Sequence, residues 1–235
     1  MDRRRFHSLQ LALLASPWLG LHMECSALTL GDITSVQASQ GLKAALEKGA
    51  IEAVRALSRP NGFLGNDKVR IPLPGYLQDA ANLLRNFGQG ARLDELITAM
   101  NRAAEAAVPM ARDMLVGAVK SMNVQDAKNI LSGGDTSVTQ FFADNTRQPL
   151  SAQFLPVVTK TTARVNLAEK YNQIAGKAAG LGLIKGDQAN IEHYVTGKTL
   201  DGLYFMIGEE ERKIRQDPVG TGSAILQKVF GALKP

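Results

Sequence analysis

The sequence predicts an all-α fold: a single helical domain interrupted by one long irregular aliphatic loop, at about residues 59–75. Three observations lead there. Apolar residues recur with a period near 3.6 almost throughout, two-residue alternation is nearly absent, and one stretch carries helix-forbidding prolines among aliphatic residues. Of the 235 residues, 45% are hydrophobic and 21% charged, the balance of a globular chain.

The first 27 residues read as an address. Arg3, Arg4 and Arg5 form a basic head, Leu9–Leu21 an apolar middle, and Cys25-Ser26-Ala27 a small-residue exit. That order is a secretory signal peptide, with cleavage expected near Ala27-Leu28 and a periplasmic or otherwise exported destination. An apolar run this short is unsuited to spanning a bilayer, so no transmembrane segment is expected after processing. Arg3-Arg4-Arg5-Phe6 fits the twin-arginine pattern, whereas Asp2, His7 and Ser8 depart from it. General secretion and the twin-arginine route both remain open.

Residues 28–235 are expected to form one domain. The only Cys (Cys25) and the only Trp (Trp18) fall in the removable part, leaving His193 as the one later imidazole. Cysteine nucleophiles, disulfides and Cys/His metal sites are thereby excluded from the processed chain. No cofactor and no metal are expected. Removing Arg3, Arg4 and Arg5 with Asp2 and Glu24 takes the net charge from +5 to +4, and the remaining basic residues are scattered among acids without a run, so no nucleic-acid partner is expected either.

Each helix has its own signal. Leu42, Leu46, Ala50, Ala53 and Leu57 share one face, and Thr34 with Gln37 fits a capping box at its start. Leu93, Ile97, Met100, Ala104, Ala107, Ala111, Met114 and Ala118 form a narrow small-residue stripe, with a break expected near Val108 because Pro109 comes next. Another stripe runs through Leu150, Phe154, Val157, Thr161, Val165, Ala168, Tyr171 and Ala175, with Pro156 suited to a first turn or a bend. Shorter helices are expected over Tyr76–Phe87, Val124–Leu131, Thr136–Ala143, Asn190–Val195, Leu200–Arg215 and Ser223–Leu233. Gly133 should stop one helix, and Asp135 or Thr136 should cap the next.

Arg59–Gly75 is the exception. Asn61-Gly62 marks a turn, and the two prolines of Val69-Arg70-Ile71-Pro72-Leu73-Pro74 require extended backbone. Phe63, Leu64, Val69, Ile71 and Leu73 are too apolar to stay in water. They point to a strap packed over the bundle in preference to a lid on an apolar pocket.

Met100-Asn101-Arg102-Ala103-Ala104-Glu105 resembles the MNRAAE signature of a bacterial envelope family, domain of unknown function 4197. Further segments resemble it in order. They include Gly62-Phe63, Ile71-Pro72-Leu73-Pro74, Asp126-Ala127, Thr139 with Phe142 and Thr146, Leu200-Asp201-Gly202-Leu203, and Glu210-Glu211 with Ile214-Arg215. Val138 stands where the family tends to have Ala. The resemblance implies a helical, exported bacterial protein and no established activity.

The candidate ligand or polar-network residues are Asn101, Arg102, Glu105, Asp126, Thr139, Asp201, Glu210 and Arg215; none is assigned as catalytic. A packing network with Arg102 or Arg215 neutralising Glu210 or Glu105 is expected; Glu210 falls on the apolar face of Leu203, Ile207 and Ile214, so it should be buried against an arginine, Arg102 first. Glu209 and Glu211, four before Lys213 and Arg215, are expected at the surface. Three readings compete, the plainest being a purely structural protein with no pocket. Another is a non-enzymatic protein that binds an apolar or amphipathic ligand or an envelope protein. The third is a carboxylate-based or metal-dependent hydrolase using Glu105 and Glu210.

Overall fold

In the computed structural model the described residues are 35–75, 85, 90–134, 136–164, 168–173, 180 and 190–217. Their regular structure is helical, in six α-helices and one 3-10 turn. The signal segment, the Thr34 cap, Val165, Ala175 and the expected helices Tyr76–Phe87 and Ser223–Leu233 lie outside the described residues.

Helix α1 (Ser35–Leu57) buries Leu42, Leu46, Ala50, Ala53 and Leu57, the face its spacing predicts. Helix α2 (Gly90–Ala107) breaks where Pro109 demands it. Val108–Met110 tightens into a 3-10 turn, and α3 (Ala111–Ser121) resumes beyond it. Proline is tolerated there because it occupies the first turn of the new helix, where its missing N–H has no partner to lose. Met100, Ala103, Ala104 and Ala107 are fully buried, and such small side chains let neighbouring helices come close.

Helix α4 (Val124–Ser132) opens with a reciprocal capping box. The Asp126 amide donates to Asn123 Oδ1 (2.8 Å), and the Asn123 amide donates to Asp126 Oδ2 (2.9 Å).

The structure corrects two of the expected helix boundaries. Thr136–Ala143 and the stripe from Leu150 belong to one helix, α5 (Ser137–Thr162), which runs through Pro149 and Pro156. Both prolines face solvent, where water can take up the carbonyls they orphan, so neither ends the helix. Its buried seam is Leu150, Phe154, Val158 and Thr162, one residue beyond the expected Val157 and Thr161. Thr136 occupies the N-cap position but makes no side-chain cap. Likewise Asn190–Val195 and Leu200–Arg215 are one helix, α6 (Ile191–Gln216), capped when Asn190 Oδ1 accepts from the His193 amide.

Helix α6 is the organising element. It packs against α5 and α1 along most of its length and touches α2, while α2 packs on α5 and α1 on α3 and α4. Residues 59–75 cross this bundle as the strap. Phe63, Val69, Ile71 and Leu73 are buried in the common core.

The strap meets α6 at a glycine. A Cβ on Gly202 would lie 2.9 Å from Phe63 Cε1 and 3.3 Å from Val69 Cβ, whereas one on Gly197, nearer the start of the helix, meets nothing within 4 Å. Gly202→Ala should therefore cost about 1–3 kcal/mol through overpacking. Gly197→Ala on the same helix should be neutral or gain roughly 0.5–1 kcal/mol from helix propensity. Thermal melts of the two variants check this, and equal shifts would refute the close approach.

Candidate functional site

The polar signature residues of α2 converge on the strap. Asn101 is fully buried. Its Oδ1 accepts from the Ile71 amide (2.8 Å), and its Nδ2 donates to Ile71 O (2.9 Å) and Ile97 O (2.8 Å). A side-chain amide carries the same donor and acceptor as a peptide group, so Asn101 pairs with Ile71 as a neighbouring strand would. Pro72 and Pro74 have no N–H to offer, and the helical bundle supplies no strand.

One turn along, Glu105 Oε1 accepts from the amides of Phe63 (3.1 Å) and Leu64 (3.2 Å). Its Oε2 takes Arg102 Nη1 at 2.6 Å, and Arg102 Nη2 reaches Asn61 Oδ1 at 2.8 Å. Asn61 has φ 67°, a left-handed conformation that asparagine tolerates better than most residues. The Glu105 side chain is 6% exposed. Its charge is buried, paired and fully hydrogen-bonded, which is the condition under which a buried carboxylate persists.

The expected Glu210–Arg102 pair does not form. Glu210 binds Lys213 at 2.6 Å, its side chain 19% exposed, and stands against Gly49 of α1. Arg102 is committed to Glu105. The two glutamates share neither a partner nor a cavity, so the carboxylate pair that a hydrolase would need is not assembled. Glu211, expected at the surface, is 3% exposed. The buried seam of α6 steps from Leu203 to Ile207, Glu211 and Ile214, a phase that 3.6 residues per turn permits as readily as the one through Glu210. Glu209 bonds Lys68 of the strap at 2.7 Å and also Arg212.

The remaining candidates are scattered. Asp126 is a helix cap. Thr139 Oγ1 donates to Tyr204 O at 3.5 Å, opposite Gly208, where an added Cβ would lie 3.0 Å from that hydroxyl. Asp201 is exposed and joins Arg147 (2.6 Å) to Lys198 (3.7 Å). The Arg215 side chain lies outside the described residues. His193 is exposed on the first turn of α6. Among the described residues no group of three or more His, Cys, Asp or Glu is placed to hold a metal ion.

The structure brings forward residues that sequence reasoning passed over. Phe205, 40% exposed, projects from α6. On one side lies a cavity of about 520 Å³ between α6 and the strap, walled by Arg70, Pro72, Leu73, Tyr194 and Lys198. On the other lies one of about 620 Å³ between α6 and α5, walled by Thr139, Ala143, Arg147, Tyr204 and Arg212. Tyr194 OH donates to Pro72 O (3.1 Å), tying the first wall to α6. Arg147 lies over the Tyr204 ring, 5.4 Å from its centroid, and the Tyr204 hydroxyl bonds Thr146 Oγ1 at 2.9 Å. Burial pushes the Tyr204 phenol above its ordinary range, against smaller opposing effects of Thr146 and Arg147. An aromatic residue on the solvent side of an amphipathic helix was the one signal available for this face.

A family model described as protein of unknown function DUF4197 matches residues 32–231. The chain belongs to that family. No curated protein and no solved structure matches it. The DUF4197 match spans every described element, and it encloses both the α2 signature and the two cavities beside Phe205.

The α2 network makes a ranking of stabilities. Asn101→Ala strands the Ile71 N–H and C=O in the core, at about 1–3 kcal/mol for each group. Arg102→Ala strips the buried Glu105 of its counter-charge and should likewise destabilise far more than Lys213→Ala, an exposed pair worth about 0–1 kcal/mol. Chemical denaturation of the three variants tests the ranking, and equal midpoints would contradict it. A separate outcome concerns acid. The Lys68 hydrogen bond, then Arg212, hold the Glu209 carboxyl below its ordinary range. The stability this supplies is full above the ordinary carboxylate pKa and is lost as pH falls through the lowered folded value. Lys68→Met should therefore lower stability most near neutral pH and least in acid, so that denaturation midpoints of variant and parent converge as pH falls; a gap that stays constant with pH would contradict the pairing.

Proposed function

We propose that this DUF4197 protein is an exported, non-enzymatic binding protein of the bacterial envelope, whose ligand is an apolar or amphipathic molecule or a protein partner. Its working face is the surface on either side of Phe205. The observation that carries this reading is the position of that ring, a large apolar group left in solvent on the wall shared by two cavities. Exposed aromatics beside concave surface are where binding energy concentrates. The basic head, apolar run and small-residue exit of the first 27 residues support export. The spending of both Glu105 oxygens on strap amides and Arg102 argues against a carboxylate mechanism there. No helix among the described residues is long and apolar enough to cross a membrane, which fits action from the surface of the bundle.

Native mass spectrometry of protein purified from the envelope fraction tests the reading. The expected species starts near Leu28 and carries an additional bound mass. Phe205→Ala should lose that mass with only a modest fall in melting temperature, because the residue is 40% exposed. Retention of the mass by Phe205→Ala would place the site elsewhere. A bound divalent ion in place of an organic or protein mass would turn the assignment toward the metal-dependent alternative.

A further inference from the structure

Resting on the binding role proposed above, we infer that the Phe205 face takes an acidic segment of a partner protein, with an apolar side chain seated against the ring. Three features combine.

The first is shape. The two cavities beside Phe205 share Asp201 and Phe205 as a common wall, and a third of about 500 Å³ adjoins the second through Ala143, Asp144 and Arg147. Through these shared residues the three depressions follow one another from the strap, across α6, and along α5 to Leu155, a row we read as one surface trough. From Thr139 to Leu155 the α5 stretch alone is about 24 Å long at the helical rise, room for roughly seven residues of extended chain. A small apolar ligand is ordinarily engulfed, with most of its surface buried. A surface trough of this length suits a polypeptide instead.

The second feature is charge. Five cations line the trough: Lys68, Arg70, Lys198, Arg147 and Arg212. Against them stand Asp201 and Asp144 in the walls, and Glu209 paired with Lys68 and Arg212. An excess of two positive charges remains. It includes Arg70, which has no ion-pair partner among the described residues and lies on the exposed edge of the strap.

The third is the arrangement of apolar groups. Val69, Pro72, Leu73 and Tyr194 flank the ring at the strap end, and Ala143 and Leu155 continue the apolar floor along α5. An apolar centre whose mixed rim keeps a net positive charge, Asp144 and Asp201 offsetting only part of the five cations, complements an acidic segment with an apolar anchor.

The probe is a fluorescent peptide of about ten residues in which Glu alternates with Leu and Phe, long enough to fill the trough. Its binding to the processed protein is read by anisotropy. Its counterpart with Lys for Glu is the control. The acidic peptide should bind, weaken as salt rises, and lose about tenfold or more in affinity to Arg70→Glu/Lys198→Glu, two exposed positions whose melting temperature is checked alongside. Phe205→Ala should weaken the acidic peptide as well. Equal binding of the acidic and basic peptides, or no binding of either, overturns the inference. So does sedimentation with phosphatidylglycerol vesicles unaccompanied by peptide binding. If Phe205→Ala loses the envelope-derived mass while the acidic peptide fails to bind, the binding role stands and the acidic partner falls. If Phe205→Ala changes neither, both fall.

Discussion

The structure depends on one pairing, the carboxamide of Asn101 with the peptide groups of Ile71. A segment as apolar as residues 63–73 must go inside, yet its prolines and extended backbone leave it unable to satisfy itself as a helix does. Every buried N–H and C=O needs a partner. Asn101 supplies one donor and one acceptor to Ile71, and Glu105 supplies an acceptor to Phe63 and Leu64. With those groups satisfied, the aliphatic side chains can be buried without penalty. The strap then lies against α6 and forms one bank of the trough.

The family signature on α2 thus has an architectural meaning at each position. Met100 fills the core, Asn101 and Glu105 hold the strap backbone, and Arg102 balances Glu105 while fixing the Asn61 turn. Ala103 and Ala104 keep the helix thin enough for its neighbours to approach. A carboxylate and an arginine one turn apart invite a catalytic reading, but here their hydrogen-bonding capacity is used within the fold. The surface that remains chemically unspent lies on the opposite flank of the strap, where Arg70 and Phe205 face solvent.

Much of this was legible in the sequence. Helical periodicity placed the core face of α1 and most of that along α2 and α3, although Leu96, Leu115 and Val119 are buried where Ile97, Met114 and Ala118 were expected; Pro109 placed the break, and the aliphatic content of residues 59–75 identified a packed strap. Local signals failed where tertiary context decides. Pro156 was expected at a first turn or a bend, yet it and Pro149 both lie inside one long helix, on the solvent side, where the carbonyls they orphan have water within reach. The phase of α6 could not be chosen between Glu210 and Glu211, because a four-residue step and a three-residue step both continue a 3.6-residue period. The pairing of Arg102 was misassigned for a related reason: a partner three residues away on the same helix competes with one on another helix, and only the strap amides make Glu105 the buried acid. The Phe205 face was hidden because its walls come from three segments far apart in the chain.

That separation also bears on the order in which the molecule assembles. The contacts from the strap to α2 span 30 residues for Ile71–Asn101 and 42 for Phe63–Glu105. Those from the strap to α6 span 122 for Pro72–Tyr194 and 141 for Lys68–Glu209. Closing the longer loops costs more chain entropy and comes slower. The strap and α2 are also complete well before α6 leaves the ribosome, so the strap is a half-built surface waiting for a lid from the far end of the chain. Until α6 docks, Phe63 and Val69 lack the cover of Gly202, and a chain interrupted before Ile191 would display an apolar band in place of the Phe205 surface.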